Sequence, residues 1–277
     1  MKDCNITFIG GGNMARSLIG GLISDGFDPH NIHVSDSEPL CLQALTDKYP
    51  IHAYSNNIEA AQASTVLILA VKPQQLQSVV RQLAPHWQTD TLVISIAAGI
   101  RINDIARWLE QEEVAIVRAM PNTPSLVQAG ATALSANAFV STQQHELAES
   151  ILRAVGLALW VDDESKMDAV TALSGSGPAY FFLVMEAMEF AAAEMGLDAE
   201  SARLLCLQTA FGAAKMALES DETTKTLRER VTSPGGTTER AVSELEDGGI
   251  RSLFENALVA AALRSRELAS QLGEDNA

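Results

Sequence analysis

Three stretches of this sequence have residue types and spacings that suit the binding of ligands, and two of them suit anions. The first is the turn Gly10-x-Gly12-x-x-Ala15, between an apolar run at 6–9 and a helical pattern. In this spacing Gly10 permits a tight turn, Gly12 lets the backbone approach a pyrophosphate, and Ala15 lets the helix pack closely on the strand. The N–H groups and positive end of the helix would hold the phosphates. The alternative is a glycine turn without a ligand, because this motif alone is weak evidence.

The second stretch, 231–240, is a glycine turn that opens a helix and carries hydroxyl groups at its start. Successive N–H groups from Gly236 to Thr238 predict an anion-binding nest at the positive end of the helix. Such a nest suits a small carboxylate. The alternative is an ordinary capped helix with no ligand.

The third stretch, 173–180, places Ser-Gly-Ser-Gly-Pro inside or just ahead of a long apolar helix. Glycine and proline are costly in helix interiors, so the interruption needs a reason. One reason is a kink required by packing. The other is close approach of the backbone to a ligand, with Ser176 as a hydrogen-bond donor.

No side chains with catalytic or metal-binding spacing accompany these stretches. None of the five histidines stands in a glycine loop or beside an acid in a catalytic spacing: His30, His33, His52, His86 and His145. The sequence also has no Cys–His pair, G-x-S-x-G motif or metal cluster. The chemistry is therefore expected to rest on an organic cofactor, with no metal, that the protein orients.

Composition narrows the class of protein further. The chain has 277 residues and a net charge of −16, which disfavours nucleic acid as a partner and requires local positive potential at any anion site. The three scattered cysteines are typical of reduced thiols in the cytoplasm. No signal peptide is expected before the first strand. The apolar segment 179–195 carries three glutamates and is predicted to be a buried helix rather than a membrane span.

Alternating strand and helix patterns over 1–162 predict a Rossmann-like, doubly wound, mostly parallel sheet. Further strands are expected at 31–35, 51–54, 65–71, 91–96, 115–119, 130–135 and 157–161. The intervening helices are expected at 14–23, 39–49, from 56, 74–83, 101–109 and 142–155. From 163 to 277 the strand signals end, and helices are expected at 165–195, 199–219, 223–231, 238–247 and 250–272. Their small, apolar faces indicate pairing with a second copy of the chain.

Residues at the ends of the predicted strands bear on the choice of cofactor. Asp36 follows Gly12 at about the distance of the acid that binds the ribose of NAD, although it could instead cap the next helix. No arginine follows it, and Ser35 and Ser37 are neutral donors for a phosphate. Lys72 follows the run 65–71 at the edge where such sheets bind ligands, and the small residues at 97–99 would admit a flat ring.

These motifs together closely resemble those of the pyrroline-5-carboxylate reductases. The resemblance spans essentially the whole chain and rests on Gly10-x-Gly12-x-Met14, Ala70-Val71-Lys72-Pro73-Gln74, Met120-Pro121-Asn122-Thr123-Pro124, the stretch 173–180 and Ser233-Pro234-Gly235-Gly236-Thr237-Thr238. It implies a Rossmann domain at 1–162 and an all-helical dimerisation domain at 163–277. It further implies a homodimer, a decamer of five dimers, and hydride transfer from NADPH or NADH to the C=N bond of 1-pyrroline-5-carboxylate, giving L-proline.

The motifs and the resemblance assign individual site residues. Those expected at the cofactor are Gly10, Gly11, Gly12, Asn13, Met14, Ala15, Ser35, Asp36, Asn57, Ala70, Val71, Lys72, Pro73 and Ala97. Those expected at the substrate are Glu164, Ser176, Gly236, Thr237 and Thr238, with the 236–238 loop reaching in from the partner subunit. Catalysis is assigned to Ser176 and Thr238, since a cyclic iminium needs an anchored carboxylate and a hydrogen bond at nitrogen rather than a strong acid.

The sequence departs from the family pattern at two positions, and it leaves two other functions open. Asp36 stands where NADPH-preferring relatives have a phosphate-tolerant residue, and Arg230 stands where some relatives have Asn. A β-hydroxyacid dehydrogenase shares the two-domain plan, but 178–195 lacks the lysine that this class uses. A dinucleotide sensor without catalysis would have no use for the hydroxyl-bearing loop at 233–238.

Overall fold

The computed structural model describes residues 4–62, 64–88 and 90–274. In this part of the chain eight strands form one sheet: β1 (Ile6–Ile9), β2 (Ile32–Ser35), β3 (His52–Tyr54), β4 (Val66–Leu69), β5 (Leu92–Ser95), β6 (Ile116–Met120), β7 (Gly130–Ala136) and β8 (Gly156–Trp160). Their order is β3-β2-β1-β4-β5-β6-β7-β8, and all neighbours are parallel except β6 and β7. The predicted doubly wound, mostly parallel sheet is confirmed.

The central strands are buried on both faces because helices cover each side of the sheet. All four residues of β1 and of β4 are buried. Ile6 and Phe8 belong to one apolar cluster, whereas Ile9 belongs to another. Continuous apolar runs rather than alternating ones are what a strand buried on two faces requires.

Among the described residues, six helices accompany the strands: α1 (Asn13–Ser24), α2 (Pro39–Thr46), α3 (Asn57–Ala61), α4 (Pro73–Leu83), α5 (Ile102–Leu109) and α6 (Thr142–Arg153). Several predicted elements end earlier than expected, among them one helix and one strand. The helix expected over 39–49 ends at Thr46, and the strand expected over 65–71 ends at Leu69. In the second case Pro73 is the first residue of α4, and the chain must leave the strand before it enters that helix.

The C-terminal region is helical, as predicted. It contains α7 (Met167–Val170), α8 (Gly177–Glu194), α9 (Ala199–Glu219), α10 (Thr224–Arg230), α11 (Thr237–Asp247) and α12 (Ile250–Gly273). The helix expected over 165–195 is not continuous, and its interruption overlaps the predicted Ser-Gly-Ser-Gly-Pro stretch. This segment instead runs through a 3₁₀ turn at Glu164–Lys166, then α7, then a π-helical turn at Thr171–Gly175, and finally α8.

The chain divides into two compact units. The first contains residues 1–176 and 260–277, and the second contains 177–259. The last turns of α12 thus belong to the sheet-containing unit, where Ser265 Oγ donates to Asp168 Oδ1 at 2.7 Å and Arg107 donates to the Gly273 carbonyl. A domain boundary at 162/163 remains a prediction from composition.

The helices of the second unit leave large apolar side chains exposed. Gly177 is the only residue of α8 that is buried, so the helix predicted to be buried over 179–195 is not buried within the single chain. Phe181 and Phe190 are 68% and 69% exposed, and Phe211 on α9 is 61% exposed. No helix in the described part of the chain is long and apolar enough to cross a membrane.

Candidate cofactor and substrate sites

The predicted glycine turn lies at the carboxyl end of β1, between the neighbouring strands β2 and β4. Gly10 has φ +102°, which other residues rarely adopt, and its N–H donates to the Ser35 carbonyl at 2.8 Å. A Cβ at Gly10 would lie 2.7 Å from the Ala70 carbonyl oxygen. Only glycine therefore lets β1 turn tightly between its two neighbours.

The start of α1 has the features that a diphosphate requires. Gly12 is the N-cap of α1, is exposed, and has no atom within 4 Å of the position of a Cβ. No side chain caps the helix, and its first turn, which begins at Asn13, contains no acidic residue. The N–H groups of this first turn have no partners within the helix. The residues present thus fit an anionic group held by backbone amides.

Asp36 takes part in the glycine turn itself. Its Oδ2 accepts from the Gly11 N–H at 2.7 Å, and its Oδ1 accepts from the Glu38 N–H at 2.8 Å. The structure therefore gives Asp36 a role that neither alternative from the sequence included. Its carboxylate joins the glycine turn to the entry of α2, where Glu38 is the N-cap.

Ser35 and Asn57 form a pair beside the same turn. Ser35 is fully buried, and its hydroxyl donates to Asn57 Oδ1 at 2.5 Å. In this bond the oxygen of the Asn57 amide faces the serine, so its Nδ2 faces away from it. Ser35 orients Asn57, which is the less buried of the two.

His33 lies on β2, two residues before Ser35. Its ring stacks on that of His52 with 4.9 Å between centroids, and its Nδ1 lies 3.1 Å from the Tyr54 hydroxyl. Burial, with a smaller contribution from the charge of His52, lowers the pKa of His33 below its ordinary value. His33 is thus held as the neutral imidazole near neutral pH.

The remaining residues predicted at the cofactor follow the next two strands. Ala70 and Val71 continue from β4, Lys72 is the exposed N-cap of α4, and Pro73 is its first residue. Ala97 follows β5 and is buried. These residues end up at the carboxyl edge of the parallel sheet, where such folds bind ligands.

Glu164, which the resemblance assigns to the substrate, has partners within the first unit. Its Oε1 accepts from Arg118 Nη1 at 3.0 Å and from the Ile102 N–H at 2.9 Å. The side chain of Arg118 is only 5% exposed, and that of Glu164 is 27% exposed. The pair joins β6 to the start of α5. Sequence reasoning missed Arg118, although a lone arginine inside the apolar run 115–119 was the available signal.

Ser176 follows the π-helical turn, where its N–H donates to the Thr171 carbonyl at 2.8 Å. That bond spans five residues and is the mark of a π-helix. Asn122 contacts the same turn, donating from Nδ2 to the carbonyl and hydroxyl oxygens of Ser174, at 3.3 Å each. The sequence located both motifs but did not predict that they meet.

In the second unit the loop at 233–238 has a tighter internal structure than predicted. Gly235 has φ +71°, and its N–H donates to Glu239 Oε2 at 2.7 Å. The Gly236 N–H donates to the Ser233 carbonyl at 3.0 Å. The predicted nest is therefore reduced to the amides of Thr237 and Thr238, which begin α11 and have exposed side chains. Gly236 is the N-cap of α11.

Arg230 closes the preceding helix and is committed to an ion pair. It donates from Nη1 to Glu222 Oε2, and its side chain is 66% exposed. Ion pairs of this kind, between a basic and an acidic side chain at the protein surface, contribute little stability.

Comparison with known proteins supplies the family. Over 274 residues the chain is 49% identical to a pyrroline-5-carboxylate reductase of Pseudomonas aeruginosa, covering 99% of this chain and 100% of that protein. The chain belongs to the pyrroline-5-carboxylate reductase family. A relative in Methanosarcina acetivorans is 42% identical over 97% of this chain and 99% of its own. The family model for pyrroline-5-carboxylate reductase dimerisation matches 164–268, and a model for coenzyme F420-dependent NADP oxidoreductases matches 5–99.

Solved structures agree with this assignment. A pyrroline-5-carboxylate reductase from Coxiella burnetii superposes with a TM-score of 0.92 at 50% identity, covering 96% of this chain and 98% of that one. A Plasmodium falciparum pyrroline carboxylate reductase with NADP bound gives a TM-score of 0.86 at 29% identity, over 97% and 99% of the two chains. An archaeal ketol-acid reductoisomerase, 13% identical with a TM-score of 0.65 over 96% and 82%, shares the fold alone.

Proposed function

We propose that this chain reduces the C=N bond of 1-pyrroline-5-carboxylate to give L-proline, with NADPH or NADH as the hydride donor, in the last step of proline biosynthesis. The observation that carries the proposal is 49% identity to a named pyrroline-5-carboxylate reductase over 99% of the chain. The reduced nicotinamide supplies the hydride, and the protein supplies binding, orientation and a hydrogen bond.

The first unit holds the dinucleotide. The amides at the start of α1 bind its diphosphate, supported by Gly12, which leaves open space for it. Asn57, oriented by Ser35, offers Nδ2 to a ribose hydroxyl or a 2′-phosphate. Lys72 is exposed at the sheet edge and offsets part of the negative charge of the ligand in a chain whose net charge is −16.

The substrate is held by residues of the two stretches 173–180 and 233–238. The N–H groups of Thr237 and Thr238 bind the carboxylate at the positive end of α11. The Thr238 hydroxyl relays a proton to the ring nitrogen, and its oxygen then accepts a hydrogen bond from the N–H of the resulting iminium. Ser176 donates a second hydrogen bond to the substrate. Protonation matters because an iminium carbon accepts hydride much more readily than a neutral imine does.

The helical region pairs with a second copy of the chain. It matches the dimerisation model of the family and leaves a broad set of apolar side chains exposed: Phe181, Phe182, Leu183, Phe190, Leu204 and Phe211. Exposed apolar surface of this extent is typical of an interface. In this proposal the 236–238 loop serves the partner's site, and five dimers form a ring-like decamer. The cysteines are free thiols, which suits the cytoplasm.

Substitution of Thr238 tests the assignment of the reaction. We expect Thr238→Ala to lower kcat/KM for 1-pyrroline-5-carboxylate by about 100-fold, the contribution typical of a positioned proton-transfer group. Thr238→Ser keeps the hydroxyl and is the matched control, with activity close to wild type. Wild-type kinetics in Thr238→Ala contradict the role of Thr238. A wild-type enzyme that binds NADPH but turns over no imine contradicts the proposed function itself.

A further inference from the structure

We infer that Asn122 is a positioning residue that holds the π-helical turn at Thr171–Gly175 and thereby sets the place of Ser176. The inference rests on the proposed function, in which Ser176 contacts the substrate. It concerns the loop Met120-Pro121-Asn122-Thr123-Pro124, to which neither the cofactor nor the substrate assignment gives a role.

A missing hydrogen-bond donor explains why the turn needs Asn122. In an α-helix the Ser174 carbonyl would accept from the N–H of residue 178, but that residue is proline and has none. A carbonyl without a partner in a partly buried segment is costly. Asn122 Nδ2 takes the place of the missing N–H, lying 3.3 Å from the Ser174 carbonyl oxygen.

The other end of the Asn122 amide is anchored to the sheet. Its Oδ1 accepts from the Ala131 N–H at 2.9 Å, which fixes the oxygen and directs Nδ2 at the turn. The Ser174 hydroxyl lies within 3.3 Å of Asn122 Nδ2 and donates to the Ala131 carbonyl at 3.4 Å. One amide thus connects the π-helical turn to the start of β7, a rigid element of the sheet.

A steric contact holds the turn from the same loop. A Cβ at Gly175 would lie 2.6 Å from Met120 Cε, so the backbone of the turn rests against Met120. Both contacts come from the 120–124 loop and both reach the residues just before Ser176. Residues whose backbone is fixed at two points have little freedom to move, and a misplaced hydrogen-bond donor loses much of its contribution to catalysis.

Asn122→Asp is the sharpest test because it changes one atom of the amide and keeps the shape. It retains the acceptor for the Ala131 N–H but places a carboxylate oxygen where Nδ2 faces two oxygen atoms of Ser174. We expect kcat/KM for the imine to fall by about tenfold or more. A tenfold fall corresponds to about 1.4 kcal/mol of lost transition-state stabilisation. We expect the Kd of NADPH, measured by fluorescence titration, to stay within about threefold of wild type.

Asn137 provides a matched control at the other end of β7. Its Oδ1 accepts from the Ile116 N–H at 3.2 Å and its Nδ2 donates to the Val114 carbonyl at 2.8 Å, so it has the same chemistry away from the turn. We expect Asn137→Asp to lower the melting temperature without a comparable loss of kcat/KM. Ser174→Ala, which keeps the carbonyl, should cause a smaller loss than Asn122→Asp.

Hydrogen exchange tests the inference independently of turnover. The amide of Ser176 should exchange faster in Asn122→Asp than in wild type or in Asn137→Asp, because its π-helical bond to Thr171 is weakened. If Asn122→Asp leaves this exchange unchanged and affects kinetics no more than Asn137→Asp, the inference is overturned and the proposed function stands. If wild type reduces no imine, the proposed function fails, and the exchange data still decide whether Asn122 holds the turn.

Discussion

Glu164 offers a clear contrast between a role at the substrate and a role in support of the fold. The resemblance to the family assigns it to the substrate, whereas the structure places its Oε1 3.0 Å from Arg118 Nη1 and 2.9 Å from the Ile102 nitrogen. Glu164→Ala removes both bonds. We expect the protein to become markedly less stable, since Arg118 would lose this ion pair while remaining buried.

The size of the effect follows from the burial of the two side chains. Breaking a buried ion pair by removing one partner costs about 3–5 kcal/mol. Arg118 is 5% exposed, but Glu164 is 27% exposed, and water can partly replace its carboxylate. We therefore expect a loss near the lower end, about 3 kcal/mol of the free energy of unfolding. Glu164→Gln keeps one acceptor oxygen and should lose about 1–2 kcal/mol.

Urea unfolding at a fixed protomer concentration measures this loss, since the stability of an oligomer depends on concentration. A double-mutant cycle with Arg118→Met should give a coupling energy above about 1 kcal/mol. Asp162→Ala is the control, because it breaks the exposed pair between Asp162 and Lys166 and should leave the unfolding free energy nearly unchanged.

The opposite outcome would refute this reasoning. If Glu164→Ala unfolds at the wild-type urea concentration but has a much higher KM for the imine, the carboxylate serves the substrate and its bonds to Arg118 and Ile102 contribute little. If Glu164→Ala lowers the stability but the double-mutant cycle gives no coupling energy with Arg118, the effect comes from the bond with Ile102 alone.

Two further predictions concern the cofactor side of the sheet. Asp36→Ala should raise the Kd of both NADPH and NADH by about tenfold, because the Gly11 N–H loses its acceptor and the glycine turn loosens. Fluorescence titration checks this, and a selective gain for NADPH would show instead that Asp36 discriminates directly at the ribose. The lowered pKa of His33 means that the unfolded chain binds a proton more readily, so stability should fall as the pH drops from about 7.5 through the ordinary histidine value to about 5.5. Urea unfolding across this range should give a smaller slope for His33→Gln, and an equal slope in both proteins would contradict the prediction.

The order of the elements could be predicted from the sequence because it depends on short-range properties. The apolar runs at 6–9 and 65–71 predict buried strands with the chain order that the structure has, although the second strand ends at Leu69. The interruption at 174–178 could likewise be located from its glycines, proline and serines. The π-helical form of that turn could not, because it depends on a donor supplied by Asn122.

The sequence by itself determined the sheet class, the helical second half, the glycine turn of Gly10 and Gly12, and the family. These follow from periodicity, turn chemistry and motif spacing, all of which are local in the chain. Tertiary structure alone decided which polar groups meet: Asp36 with Gly11, 25 residues apart, Glu164 with Arg118, 46 apart, and Asn122 with Ser174, 52 apart. Spacing cannot predict such pairs, because each acceptor finds its donor only after the strands have taken their order in the sheet.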